Sequence, residues 1–258
     1  MSTNIHPTAI VDSGAEIGDN VEVGPYAIIE NNVVIGDGCR IDPQVLIASG
    51  ARLGREVAVH KGAVLATVPQ DLKFGGEETT LEIDDRTVIR EYATLNRGTS
   101  YHWKTKVGKN CLLMAYSHIA HDCFVGDNVI IGNCTALAGH IEIGEYAIIS
   151  GLVPVHQFVR IGAHSMVGGG FRVPQDIVPY ALCGGYPLKV IGLNLVGLKR
   201  RGFAPDVLKA LDRAFRIIFR SKFNTSQALT RVKEEVEMMT EVKLLVDFIE
   251  GSERGICK

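Results

Sequence analysis

Six residues of this chain stand at spacings that could support acid–base chemistry: His118, His121, Asp122, Gly139, His140 and His156. His121 and Gly139 are 18 residues apart, as are Asp122 and His140. Histidine titrates near neutrality and can take a proton from a hydroxyl group. A glycine beside it lets a carbonyl oxygen approach a backbone N–H, an oxyanion-hole arrangement. Asp122 is placed to contact His140 or to orient its own neighbour, His121. The alternatives are a polar surface edge of no chemical consequence and a zinc site. The first gives no reason for several histidines to converge opposite a glycine. The second lacks an established ligand geometry for a His-x2-His pair on a β-coil.

Those spacings matter because of the framework they sit in. Read in sixes from Ile5, the first member is Ile, Leu or Val at 26 of 29 positions as far as Val173. The fifth member is small or β-branched, and the second is often glycine (Gly18, Gly24, Gly36, Gly54). A period of six fits neither a helix face nor plain hairpin alternation. It fits a solenoid with one short strand per six residues, aliphatic side chains stacked inward, and glycines helping the chain turn. Three sides to a coil would make 18 residues the repeat, and would put His121 beside Gly139 and His140 beside Asp122. His118 would then enter the same edge at its corner, with His156 one coil further.

The frame misses at Asp71, Glu77 and Tyr101 mark insertions over 67–81 and 100–106, and such loops often serve binding. After Val173 the pattern stops. Pro205 begins a helix with Leu208, Leu211, Phe215 and Ile218 inward. Thr225 or Ser226 caps a second, with Leu229, Val232 and Val236 inward, and a third runs near Glu241 to Phe248 and ends before Gly251. The expected division is a β-solenoid over 1–188 and a helical domain over 189–258.

Bulk properties narrow the function. Net charge is −2, which favours no nucleic-acid partner. Residues 189–258, however, carry 14 Lys/Arg against 9 Asp/Glu, so the helical part is basic and the solenoid acidic. This points to an acidic partner for the C-terminal part. No apolar run is long enough to span a membrane and no signal peptide is evident, so the cytoplasm is expected. The six cysteines lack CxxC spacing and suit small buried thiols.

Seven segments carry a resemblance. They are His6-Pro-Thr-Ala-Ile10, Pro69-Gln-Asp-Leu-Lys73, His118-Ile-Ala-His-Asp-Cys123, Leu137-Ala-Gly-His140, Val155-His-Gln-Phe158, Met166-Val-Gly-Gly169 and Gly197-Leu-Lys-Arg-Arg-Gly-Phe203. In these the chain resembles the UDP-N-acetylglucosamine O-acyltransferase family, hexapeptide-repeat enzymes of the first step of lipid A biosynthesis. The resemblance implies a left-handed parallel β-helix of triangular section, an all-β solenoid carrying a small α domain. It implies a homotrimer with sites between subunits, and transfer of a 3-hydroxyacyl chain from acyl carrier protein to the 3-position of a UDP-amino-sugar. His121 would be the general base and Gly139 the oxyanion donor. Asp71, Lys73, His118, His140, His156 and Gln157 would line the sugar-diphosphate site, and Asn194, Arg200 and Arg201 would reach the nucleotide. It requires no metal and no bound organic cofactor. Two departures stand out: Val196 where a glutamate is common near the uracil, and the bulky Phe171 and Arg172 after Gly170.

Further expectations concern specificity. Gly169, backed by Arg172, would gauge the acyl chain. Lys209, Arg213, Arg216 and Arg220 share a helical face and would dock the carrier. The residues leave the acceptor atom open, since a base at His121 serves a 3-hydroxyl or a 3-amine. The rivals are the later N-acyltransferase of the pathway, a zinc-dependent γ-type carbonic anhydrase on the same solenoid, and a purely structural subunit.

Overall fold

The computed structural model describes residues 3–258, so the first two residues of the expected 1–188 solenoid lie outside it. Short strands recur every six residues and stack into three parallel sheets, the faces of a triangular prism. Face 1 starts at Asn4–Ile5, face 2 at Ile10–Val11 and face 3 at Glu16–Ile17. Each strand pairs in parallel with the one a coil later, for example Ile119 with Leu137 and Leu137 with Val155. The first members of the sixes point inward. Ile29, Ile47, Leu65, Ile89, Leu113 and Ile131 are at most 1% exposed. Ile5, on the lowest described coil, is 43% exposed because no strand among the described residues pairs below it.

The corners turn by a different device from the one expected. Positive φ falls on the fourth member of the six, at Asn20, Asn32, Tyr92, Asn128, His140 and others, and only sometimes on a glycine. The second-position glycines serve close approach instead. A Cβ on Gly36 would sit 2.6 Å from the Gly54 carbonyl oxygen of the next coil. Five of the six cysteines are buried as expected; Cys134 is exposed because it occupies a positive-φ corner position, where side chains point outward.

Both insertions leave the prism at the corner between faces 2 and 3; the first is shorter than the expected 67–81 at both ends, and the second is shifted from 100–106. One runs over 68–79, between the strands Val64–Thr67 and Thr80–Ile83. The other runs over 97–103, between Thr94–Asn96 and Lys104–Val107. The aliphatic frame misplaced them because Thr80–Ile83 and Lys104–Val107 are paired strands with polar members, including the fully buried Thr105.

The C-terminal part begins with a hairpin, Ala181–Gly184 against Lys189–Leu193, so the expected boundary at 188/189 falls inside it. Four helices follow: α1 (Leu195–Arg200), α2 (Pro205–Arg220), α3 (Thr225–Glu235) and α4 (Thr240–Glu250). The short α1 was not expected. The inward residues of α2 are Leu208, Leu211, Phe215 and Ile218, as the 3-4-3 spacing requires. The cap of α3 is Asn224, not Thr225 or Ser226. Asn224 forms a reciprocal capping box with Gln227, satisfying a free N–H at each end of the pair. Among the described residues, no helix is long and apolar enough to cross a membrane.

Candidate active site

The corner between faces 2 and 3 gathers the chemistry. Successive coils build columns of residues 18 apart: Ala120, Ala138 and His156; His121, Gly139 and Gln157; Asp122, His140 and Phe158. The ladder continues through the turns, with His140 N–H donating to the His121 carbonyl at 3.1 Å and Phe158 N–H to that of Gly139 at 3.2 Å.

Asp122 is the anchor. It is 1% exposed, and each of its oxygens accepts two hydrogen bonds. Oδ1 accepts from the backbone N–H groups of Thr99 and His102, both at 3.1 Å. Oδ2 accepts from Thr99 Oγ1 at 2.7 Å and lies 2.8 Å from His121 Nδ1. Its own N–H donates to Thr105 Oγ1 at 2.8 Å. Burial works to raise the carboxyl pKa, but the bonds from Thr99, His121 and His102 together outweigh it and hold the pKa below the ordinary carboxylate value. An ionised Asp122 therefore orients His121, making Nδ1 the N–H donor and leaving a lone pair on Nε2. Of the two roles expected for Asp122, orienting His121 is the closer contact; His140 Nδ1 lies 3.9 Å away.

Gly139 faces the other side of that ring. A Cβ there would lie 2.7 Å from His121 Cε1 and 2.8 Å from Nε2, so only glycine leaves the imidazole its place. Among the described residues, the Gly139 N–H donates to no protein group. An unengaged backbone donor thus stands beside the free Nε2.

His140 is held by aromatic rings. It stacks on Phe158 (4.4 Å between centroids, 2° between planes) and meets Tyr101 and His121 edge-on at 4.6 and 5.0 Å. Burial lowers its pKa, against the opposing pull of Asp122. Asp71 of the first insertion also acts on His140 in that upward direction. That loop is pinned by Asn96 Nδ2 donating to the Val68 carbonyl at 3.0 Å and by Arg97 lying over the Phe74 ring at 5.5 Å. Within it Lys73 N–H donates to Asp71 Oδ1 at 2.9 Å.

His118 departs from its expected place. It is an outward-facing strand residue of face 2, not a corner residue, and its Nδ1 lies 2.8 Å from Thr94 Oγ1. Burial lowers its pKa. His156 and Gln157 lie in the columns that lead away from His121 towards the C-terminal end. Thr99, His102 and Thr105 were not singled out in the sequence; Tyr101 entered only as a break in the frame and Phe158 only as the end of a matching segment. Tyr101, His102 and Thr105 fall within the insertion expected over 100–106, and Thr99 lies just before it.

The residues expected to reach the nucleotide lie elsewhere in the chain, at the corner between faces 3 and 1. Asn194 is buried and caps α1, accepting from Gly197 N–H at 3.2 Å while donating to the His164 carbonyl at 2.9 Å. Arg201 donates to the Tyr146 carbonyl at 2.9 Å and lies over the Tyr146 ring, leaving Nη1 unpartnered. His164 stacks between Tyr146 and Tyr180; burial, aided by Arg201, lowers its pKa to about 4. Arg200 is exposed, as is Val196.

Gly169 is on a third corner, between faces 1 and 2. It lies 48 residues past His121, which is eight sixes, or two coils and two further sides. Distance along the axis alone does not put it on the same edge as His121. Arg172 continues onto face 2 in the column of His118, Ala136 and Pro154.

On α2, Lys209, Arg213, Arg216 and Arg220 are all exposed. Three have intramolecular partners: Arg213 with Glu235 at 3.2 Å, Arg216 with Asp212 at 2.9 Å, and Arg220 with the Ile191 carbonyl at 2.8 Å.

His121, Asp122 and His140 offer one ligand atom each within 4.8 Å of one another. The donor set does not suit a cation, however. All four acceptor positions of Asp122 are occupied, one of them by His121 itself.

Residues 176–257 match the family described as "Udp N-acetylglucosamine O-acyltransferase; Domain 2", and 104–139 match "Bacterial transferase hexapeptide (six repeats)". The acyl-[acyl-carrier-protein]–UDP-N-acetylglucosamine O-acyltransferase of Trichlorobacter lovleyi is 51% identical, covering 99% of each chain. The protein of the same name from Thiobacillus denitrificans is 46% identical over 98% of this chain and 99% of its own. The crystal structure of the UDP-N-acetylglucosamine acyltransferase from Bacteroides fragilis superposes with a TM-score of 0.97 at 46% identity, covering 98% of this chain and 100% of that one. With that likeness the solenoid is the left-handed β-helix that the sequence resemblance implied. The chain belongs to the UDP-N-acetylglucosamine O-acyltransferase family.

Proposed function

We propose that the protein transfers a 3-hydroxyacyl chain from acyl carrier protein to the 3-hydroxyl of UDP-N-acetylglucosamine, the first step of lipid A biosynthesis. The observation that carries this reading is the juxtaposition of an Asp122-oriented His121 with the unengaged N–H of Gly139. His121 Nε2 removes the proton of the sugar 3-hydroxyl as its oxygen attacks the thioester carbonyl. Charge develops on the carbonyl oxygen, and the Gly139 N–H stabilises it. The intermediate collapses, the C–S bond breaks, and His121 returns its proton to the departing thiolate. Asp122 keeps the imidazole in one tautomer throughout and stabilises its charged form. The phosphopantetheine thiol arrives on the carrier, and the mechanism calls on no metal or resident cofactor.

His118, His140, His156 and Gln157, with Asp71 and Lys73 of the first insertion, hold the sugar and diphosphate. Asn194, Arg200 and Arg201 hold the nucleotide, with Asn194 acting through its cap on α1. Because the two groups sit on different corners of one prism, the site is completed between copies. Face 1 carries an apolar outward row, Val88, Leu112, Ile130, Ile148, Met166 and Leu182. Face 2 carries Ile10, Ile28, Leu46 and Val64. Packing face 1 of one copy on face 2 of the next, about a three-fold axis, covers both rows. It also brings the His121 corner of one copy to the Arg201 corner of its neighbour. A homotrimer working in the cytoplasm is the assembly that fits a carrier-borne donor.

Release of carrier thiol in the presence of UDP-N-acetylglucosamine tests the role of His121. A general base contributes about 10²–10⁴-fold, so His121→Ala loses that much activity while keeping its melting temperature. Activity within threefold of wild type would remove His121 from the role.

A further inference from the structure

After α4 the chain does not simply end. Residues 252–257 return along the solenoid and lie against 174–176. Asp176 N–H donates to the Gly255 carbonyl at 3.0 Å, and Cys257 N–H to the Asp176 carbonyl at 2.9 Å. Ser252 Oγ donates to Asp176 Oδ2 at 2.8 Å, and Arg160 N–H holds the other carboxylate oxygen at 2.8 Å. Asp176 is 1% exposed, and Ile256 and Cys257 are buried. The tail is therefore fixed by several contacts that do not involve Arg254.

Arg254 is the residue this tail delivers to the His121 corner. Its Nε donates to the Pro174 carbonyl at 3.0 Å, which sets the plane of the guanidinium. Its Nη2 lies 2.7 Å from His156 Nδ1. A guanidinium has donors only. This contact requires a lone pair on Nδ1, so the ring carries its proton on Nε2. The other tautomer has its own partner at hand, since Nδ1 lies 3.1 Å from the Gln157 carbonyl oxygen. Two tautomers are thus available to His156, and Arg254 selects one.

We infer that Arg254 is a positioning residue for the acceptor site: the C-terminal tail uses it to hold His156 as an Nε2–H donor towards the anionic sugar-diphosphate. The inference rests on the proposed acceptor, because it takes His156 to face that ligand. His156 lies in the coil that carries Gln157, two coils beyond that of His121, roughly 10 Å along the axis at the usual strand spacing. That is a span suited to a diphosphate whose sugar reaches His121. Without Arg254 the ring is free to donate to Gln157, turning a lone pair towards phosphate oxygens.

Two measurements separate this idea from the functional proposal. The first is the tautomer of His156, read from ring ¹⁵N shifts of histidine-labelled protein, assigned with His156→Gln. Wild type is expected to show the Nε2–H form and Arg254→Met a shift towards Nδ1–H, whatever reaction the protein catalyses. Arg254→Lys, which keeps a donor at the position, restores part of the wild-type signal. The second is calorimetric binding of UDP-N-acetylglucosamine. Loss of a charge-assisted donor geometry predicts about tenfold weaker binding in Arg254→Met. In a His156→Ala background the same change should have no further effect. An unchanged tautomer overturns the positioning role outright. A tautomer change without weaker binding overturns the link to the diphosphate. An additive effect in the double variant would mean that Arg254 touches the ligand independently of His156.

Discussion

Gly139 tests the chemistry at single-residue scale, because its φ lies outside the left-handed region and the nearest atoms a side chain there would meet are those of the His121 ring. Gly139→Ala places a methyl group within 2.8 Å of Nε2 and must push the ring off its bond to Asp122. Loss of the oriented base predicts a fall in kcat of about 10²-fold or more, with stability little changed. Steady-state kinetics beside a melting curve check it, and a kcat within threefold of wild type would detach the glycine from the base. The reacting pair was legible in the sequence because 18-residue spacing turns register into adjacency. Thr99 and His102 were not, since they reach Asp122 from an insertion that breaks the register, partly through backbone N–H groups. Thr105 escaped for another reason: it is a buried hydroxyl in a strand recognised only by aliphatic residues. Arg254 lies in a tail that carries no periodic signal at all.

At the scale of elements, face 2 and α2 each make a commitment. From His118 the outward column of face 2 runs through Ala136 and Pro154 to Arg172, three coils or about 14 Å at ordinary strand spacing. An acyl chain laid along these small residues ends near the corner that holds Gly169. A Cβ on Gly169 would approach the Gly151 carbonyl oxygen at 3.1 Å, so a side chain there occupies room at this corner. Gly169→Met should therefore shift donor preference to shorter acyl chains while sparing the short ones. A panel of acyl carriers of graded length measures this, and an unchanged profile would move the stop to Arg172. On α2, Arg220 holds the Ile191 carbonyl, so the cleaner probe of carrier docking is Lys209→Glu with Arg213→Glu and Arg216→Glu. Exposed charges steer association and are screened by salt, so this triple variant should raise the carrier KM about tenfold at low salt and flatten its salt dependence. KM for the UDP-sugar should not move. A wild-type carrier KM at low salt would make the stripe a solvated face, neutralised by Glu235 and Asp212. The α2 stripe was readable from 3-4 spacing alone. The cap of α3 and the short α1 were missed because Asn224 precedes the apolar pattern and α1 is only six residues long.

For the whole molecule, the proposed division of the site between two corners of neighbouring copies in a trimer makes a quantitative demand. His121→Ala and Arg201→Ala homotrimers should each be inactive. If random mixed trimers form after joint refolding, three quarters are mixed and each has one intact site of three, so about a quarter of wild-type activity returns. No recovery from verified mixed trimers would place both residues in a single-copy site and undo the shared arrangement. Periodicity made the solenoid legible, but which faces meet depends on outward apolar rows that become visible only once the register is known. The measurement that bears most directly on the reaction is mass spectrometry of the product formed from UDP-N-acetylglucosamine and a 3-hydroxyacyl carrier protein. The account predicts UDP-N-acetylglucosamine enlarged by one hydroxyacyl group, released by mild base as an ester at the sugar 3-position, with one carrier thiol freed per product. An acyl group attached only to a 3-amino analogue as a base-stable amide, or carrier consumed with no acylated sugar, would contradict it.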